Sequence, residues 1–479
     1  MAQKHKQLIF SEYNLGLNNG LKNYKSSGLA KQIYNVECKN GEIKSASMFE
    51  NVFDLIEPAY AQAVANVFIK QLGACKWLAG YEFFRNSISV KYVVFCTENN
   101  QIYYYQLDSE NPEFKRLSNI QFTSTPTFDF FIKEKQNVML FCSATDNMWV
   151  WDGINEPYEV LDAPKVSSMA VSMDRLFVVS DSYPYSVLFS DDLDPSNWSM
   201  ISGEAGEVVF SDNLGKVLKV FALDNYIYVV REFAIIKLYA YNKIDNTFNV
   251  SRVHMSTSKI YKNTATLAGN KIIFMCADGI YSFDGLNAKK IYNQLNPLIF
   301  NVDIACAKCI DNTYYLCANL YEKLDYNNAL VCIDLESESV TNICYGYNFQ
   351  NLYNLSLGNL NKIVVFTSDL VSKNANMPFY ICKNAYKNAE NANFLYLSQN
   401  IILQPEGINK TLCKLNFLCK TNVQIEVVTD YQTKKFSISK SDYFQTIKLN
   451  LKSNIFAIKI YGVGEVDISN ISLEYSFME

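Results

Sequence analysis

The sequence predicts an all-β protein: a β-propeller of about seven blades, followed by a small antiparallel β-sandwich and preceded by an N-terminal arm. Three observations predict it. Paired apolar strands recur at near-constant spacing through the middle of the chain. Aromatic residues are abundant, with 33 Tyr and 31 Phe in 479 residues, and aromatics favour strands. The last 80 or so residues switch to shorter, alternating strands.

The repeat sets the propeller. Hairpin-like pairs begin at Lys91, Asn137, Arg175, Tyr226, Lys271, Thr313 and Lys362, at offsets of 46, 38, 51, 45, 42 and 49 residues. A further short apolar strand precedes most pairs (KWLAGYEFF, NTATLAG), and another follows several (FKRLS, YEVLD, AKKIY). Four strands in roughly 45 residues is the arithmetic of a propeller blade. Radial stacking covers both faces of each small sheet, which explains runs such as VVF, LFC and IIFMC that are apolar on both sides. Seven pairs argue for seven blades over residues 76–385, with six or eight as alternatives. A large sandwich or β-helix with accidental spacing is the competing architecture, but the hexapeptide period of a β-helix is absent.

Residues 1–75 read as an extended arm with Gly-containing turns, then a short Ala-rich helix within Leu55–Leu72, with Pro58 near its start. Residues 386–400 read as a polar linker. Residues 401–479 hold six strands (LCKLNFLCK, NVQIEVVTDY, KKFSISK, QTIKLNLK, NIFAIKIYGVG, VDISNISLEYSF), several of them alternating as a one-side-wet sheet does. Gly (18) and Pro (10) are scarce, so Asn is expected to carry much of the turn chemistry.

The net charge of −5 and pI near 5.4 offer no basic run for gripping duplex nucleic acid. The 13 Cys are odd in number and mostly sit inside apolar runs, as reduced buried thiols do, which favours assembly in a reducing cytoplasm. The N-terminus lacks the apolar core of a signal peptide, and no apolar run reaches 18 residues, so no membrane insertion is expected.

Catalytic chemistry is thin. His5 and His254 are the only histidines, and neither stands at a triad or zinc spacing. Cys306 and Cys309 form one CxxC without a second pair, and Cys413 and Cys419 belong to the sandwich. Asp191, Asp192 and Asp194 cluster as calcium ligands do, but without the Gly of a sharp calcium-loop turn. Ser190–Trp198 loosely resembles the Asp-box of sialidases, a structural turn. It departs where Asp194 replaces the Gly and an extra residue precedes Trp198. Five arginines (Arg85, Arg116, Arg175, Arg231, Arg252) are few for a sialidase carboxylate clamp. No phosphate-cradling Gly motif is present. No catalytic residue, cofactor or metal ligand is therefore expected.

The segment Met173–Trp198, through Asp174, Arg175, Ser190, Asp194, Pro195 and Trp198, resembles a phrase found in β-propeller virion proteins of tailed bacteriophages. The hairpin Ala277–Gly285, the opening stretches Gly16–Gly20 and Asn35–Gly41, and the closing NISLEYSF are similar to the same proteins. The resemblance implies a head-to-tail accessory, or packaged-DNA stabilisation, protein of the virion, assembled in the host bacterial cytoplasm. It implies copies of itself in a ring, portal or neighbouring tail proteins as partners, and DNA surrounded without sequence-specific contact. In that picture the arm wraps a neighbour. The alternative is a receptor- or glycan-binding tail protein, with Tyr183, Tyr185 and Trp198 stacking on sugars. A propeller glycosidase is the third reading.

Overall fold

The computed structural model describes residues 3–10, 30–39, 41–46, 48–85, 88–107, 113–292, 295, 298–367, 377–382 and 393–478. It is nearly all β, built from small antiparallel sheets. The blades follow from local turn chemistry. Their first two strands are joined by two-residue turns, and in three blades both turn residues are left-handed: Glu134–Lys135 (φ 50° and 67°), Met173–Asp174 (51° and 56°) and Asp224–Asn225 (51° and 61°). Such turns match the right-handed twist of the strands they join. Only the last of these uses Asn, although Asn35, Asn100, Asn246, Asn450 and Asn470 are left-handed elsewhere.

Five four-stranded sheets make blades 1 to 5, at residues 75–116, 127–160, 168–209, 217–255 and 266–292. The strand Ser339–Leu357 serves two blades. Its first half pairs with Asn327–Asp334 as the outer strand of blade 6, and its second half pairs with Leu360–Thr367 as the inner strand of blade 7. Blade 7 has only three strands from its own stretch of chain. Its fourth comes from the N-terminus: Met48–Asn51 pairs with Met377–Cys382. The ring of seven is thereby closed by strands from distant parts of the sequence.

Each blade buries its faces against two neighbours. Blades 1 and 2 meet through Trp77, whose ring centroid lies 4.7 Å from that of Phe128 and whose Nε1 donates to the Pro126 carbonyl at 2.8 Å. Tyr81 spans the same interface, donating its hydroxyl to the Asn137 carbonyl at 2.7 Å. Buried aromatics with a satisfied polar tip give large apolar burial without an orphaned donor. Phe177, Phe189 and Phe248 join blades 3 and 4, and Ile235, Phe274 and Phe283 join 4 and 5. Blades 7 and 1 meet most tightly. A Cβ on Gly80, in the inner strand Cys75–Arg85, would run into the Ser356 carbonyl oxygen and the Leu357 side chain.

The N-terminal stretch expected as an arm packs, where described, on its own chain. The first five strands are β1 (Gln3–Ile9), β2 (Ala30–Tyr34), β3 (Val36–Lys39), β4 (Glu42–Ser45) and β5 (Met48–Asn51). β1 pairs with the C-terminal strand Asp467–Met478, β2 with Asn393–Ser398, and β5 closes blade 7. The β3–β4 hairpin lies between the modules: β3 meets the outer strand of blade 6 and β4 meets Asp467–Met478, giving one continuous sheet. Two helices follow, α1 (Val52–Ile56) and α2 (Ala61–Gln71), with Pro58 in the turn between them. Phe53 and Phe68 pack on Phe95 and Phe114, so the helices cover blade 1.

The six expected C-terminal strands form at 410–478 and build two facing sheets, joined by β2 and by Asn393–Ser398 from the stretch read as linker. Residues 386–392 of that stretch lie outside the described residues. Leu412, Leu415, Leu473 and Phe477 of one sheet face Tyr396, Ile425, Ile458 and Ile460 of the other. This core runs on into the interface of blades 5 and 6 through Val331, Ile343 and Ile33.

Two outcomes are expected. Gly80→Ala forces backbone apart at the ring closure, and overpacking of this kind costs about 1–3 kcal/mol; chemical denaturation checks it. Asp146 ties the blade 1–2 connection by accepting from Ser143, Thr145 and Thr123. Burial pushes its carboxyl up, but these hydrogen bonds outweigh burial and hold it at about 2. A carboxyl depressed on folding contributes fully above its ordinary value of about 4 and stops contributing as pH falls through the folded value. Asp146→Ala should therefore lower Tm at pH 7, with the two melting curves converging as pH falls towards 2.

Candidate functional site

The inner strands surround a channel of about 1410 Å³, lined by all seven blades. Turn register sets what faces it. Asp129, Ser168, Lys219 and Tyr353 each stand five positions before the first turn residue of their hairpin: Glu134, Met173, Asp224 and Gly358. Equal distance from equivalent turns puts them at one level of the channel. Lys308 and Cys306 reach the same space from the inner strand of blade 6, and Lys262 from the turn that opens blade 5.

Lys135 lines this channel from the blade 2 turn, and three further lysines share it. Lys219 donates to the Ala265 carbonyl at 2.9 Å, and Lys262 crosses to the Ser167 hydroxyl at 3.2 Å. The Lys308 ammonium lies 5.5 Å from the centre of the Tyr353 ring. All of these partners are neutral, and among the described residues none of the three lysines forms an ion pair. Burial, then the charges of Lys308 and Lys262, pull Lys219 down to about 7. Burial also lowers Lys262 and Lys308. The carboxyl at the same level, Asp129, is pushed up to about 6 by burial, opposed by the Phe130 backbone N–H that it accepts.

The singled-out sequence positions fall elsewhere, with one exception. Cys306 and Cys309 lie three apart on a regular strand, and alternation sends them to opposite faces. Cys309 joins the core between blades 5 and 6, while Cys306 opens to the channel and shares a hydrogen bond with Cys317, its cross-strand partner. That hydrogen bond, and then Lys308 and Lys219, lower the Cys306 thiol. His254 lies in the outer strand of blade 4, held below its ordinary value by burial, and His5 lies on β1. Cys413 and Cys419 lie on the sandwich strand Lys410–Cys419. Among the described residues no three His, Cys, Asp or Glu are placed to hold a metal, and no helix is long and apolar enough to cross a membrane.

The segment Ser190–Trp198 is a hydrogen-bonded knot. Asp191 accepts from the Asn197 amide at 2.6 Å and the Glu204 N–H at 3.0 Å, Asp194 pairs with Lys133 at 2.9 Å, and Trp198 donates to the Pro195 carbonyl at 3.0 Å. The carboxylates are spent on these contacts and do not converge. Buried Arg175 crosses beneath, donating to the Ser190 and Glu204 carbonyls and to the Glu204 carboxylate at 2.6 Å, with its guanidinium 4.4 Å from the Tyr241 ring centre. Arg231 is likewise buried and binds Asp212, which Arg252 also reaches. Arg116 sits on the outer strand of blade 1. Arg175 is thus apart from Arg231 and Arg252, which meet at Asp212.

Sequence reasoning missed the channel lysines. Their signal was a lone Lys inside an inner strand, as in VLKVFAL and CAKCI, but its meaning depends on which strand of each blade is innermost.

The sequence matches no family model and no curated protein. Similar solved structures include the N-terminal part of BBS1 in complex with ARL6 (8% identity, 62% of this chain and 88% of that one, TM-score 0.37). PorZ, a surface component of the type-IX secretion system of Porphyromonas gingivalis, is another (11%, 76% and 46%, TM-score 0.41). A third is the WD40 repeats of RRP9 (9%, 61% and 90%, TM-score 0.39). At these identities the likeness extends to the fold alone.

Arg175→Met should cost about 1–3 kcal/mol, since it removes the guanidinium donor from the buried Ser190 carbonyl. Chemical denaturation of the variant measures it, and a smaller loss would mean the knot is held by Asp191 and Asn197 alone.

Proposed function

We propose that this chain is a structural, non-enzymatic virion protein of a tailed phage, a head-to-tail connector or tail-ring component. The observation that carries the structural role is the union of its two modules. β3 and β4 run one sheet from blade 6 into the sandwich, and the core is continuous beneath it. A body joined this way transmits load without a hinge, as a wedge in a ring must. The phage setting rests on the resemblance of Met173–Trp198, of which Arg175, Ser190, Asp194, Pro195 and Trp198 take part in the blade 3 knot; the opening stretch Gly16–Gly20 lies outside the described residues.

In this reading copies assemble by a heterologous interface that closes on rotation, with the portal or neighbouring tail proteins above and below. Phage DNA passes the assembly without being read, and no membrane is entered. Assembly takes place in the host cytoplasm and the protein ends in the virion. A receptor- or glycan-binding tail role draws on Tyr183 and Tyr185, both nearly half exposed on one loop of blade 3. Trp198 contributes less to that role, since it packs into the interface of blades 2 and 3.

Light scattering separates the two. A ring, or a monomer that assembles only when the portal protein encoded nearby is added, is the expected result. A monomer indifferent to portal and retained on a glycan column would transfer the proposal to receptor binding.

A further inference from the structure

We infer that the propeller channel is a binding site for a small multivalent oxyanion of the phosphate class, held by Lys219, Lys262 and Lys308. The inference stands on the geometry of the channel and does not depend on the virion reading.

Three ammonium groups enter one channel from three blades, and their present partners are two neutral oxygens and the faces of the Phe221 and Tyr353 rings. Asp129 is the carboxyl at the level of Lys219, while Glu82 lines the channel from within the inner strand of blade 1 and Asp174 from the blade 3 turn. A cation withdrawn from water without a counter-charge is costly, and the cost is relieved by losing the proton or by gaining an anion. Asp129 is one carboxyl against three lysines, and low-dielectric walls focus the field of that local excess and concentrate the opposite ion. Ser168 of blade 3 and Asn351 of blade 7 add neutral hydrogen-bonding groups to the lining.

The donor type selects the ligand class. Lysines are point charges on flexible stems, suited to compact, highly charged oxyanions, whereas planar carboxylates are better met by the fork of an arginine. No arginine lines the channel among the described residues. The volume of about 1410 Å³ exceeds what one phosphate fills, so pyrophosphate or the diphosphate of a nucleoside fits the space. Phe128, Phe221 and Tyr353 in the lining offer faces to a base, and this distinguishes the two sources.

The test is calorimetry and thermal melting of the full chain with phosphate, pyrophosphate and a nucleoside diphosphate, against chloride at equal ionic strength. The expected result is saturable binding of pyrophosphate with a rise in Tm. Tighter binding of the nucleoside diphosphate would name it as the source, and equal binding would name the inorganic ion; both support the site. K219M with K308M should weaken binding by roughly tenfold or more per lysine while the ligand-free variant melts no lower than wild type, because it loses two uncompensated cations. Should that variant fail to fold, K262Q alone, at the edge of the site, should still weaken binding. Retained binding in the folded variants, or no saturable binding of any probe by the wild-type protein, overturns the inference.

Discussion

The structure depends on one constraint: a four-stranded blade that is apolar on both faces needs a neighbour on each side. In a row of such sheets two outer faces stay wet, and a ring is the arrangement that removes both. Here the ring closes through β5, which leaves the N-terminal region to become the fourth strand of blade 7. The tight approach of Gly80 to Ser356 places blade 1 against the other side of that same blade. Closure thus ties residues near 50 to residues near 380 and couples the stability of all seven blades.

The same closure creates the channel. Inner strands brought edge to centre leave a space whose lining is fixed by turn register, because equivalent hairpins start from equivalent turns. Residues that are harmless on separate strands become neighbours there. Lys219, Lys262 and Lys308 are far apart in sequence, yet Lys308 and Lys262 both disfavour the charged form of Lys219 once the ring forms. A protein with net charge −5 thereby holds a basic centre, which overall charge conceals.

The union of propeller and sandwich uses a different device. β3 and β4 act as a bridge between two sheets that would otherwise stop at exposed edges, and β1 covers the edge of Asp467–Met478. Edge strands invite pairing with other chains. Using N-terminal strands to cover them disposes of those edges inside one molecule and fixes the relative position of the modules.

Much of this was legible in the sequence. Period, aromatic content and hairpin spacing determined the blades, and alternation determined the six C-terminal strands, because both signals are local and each strand carries its own pattern of burial. The burial of Cys96, Cys142 and Cys276 was readable for the same reason. What only the tertiary structure decided was pairing at long range. β1 to β5 look like an arm because short strands with distant partners carry no local sign of where they will dock. The CxxC at Cys306 lacked the second pair a zinc site needs, but its sequence did not show that the strand turns its thiols to opposite faces while directing Lys308 between them into the channel. Local sequence fixes the period of burial along a strand; which neighbour covers each face, and which side chains meet in the centre, follows only when the ring is closed.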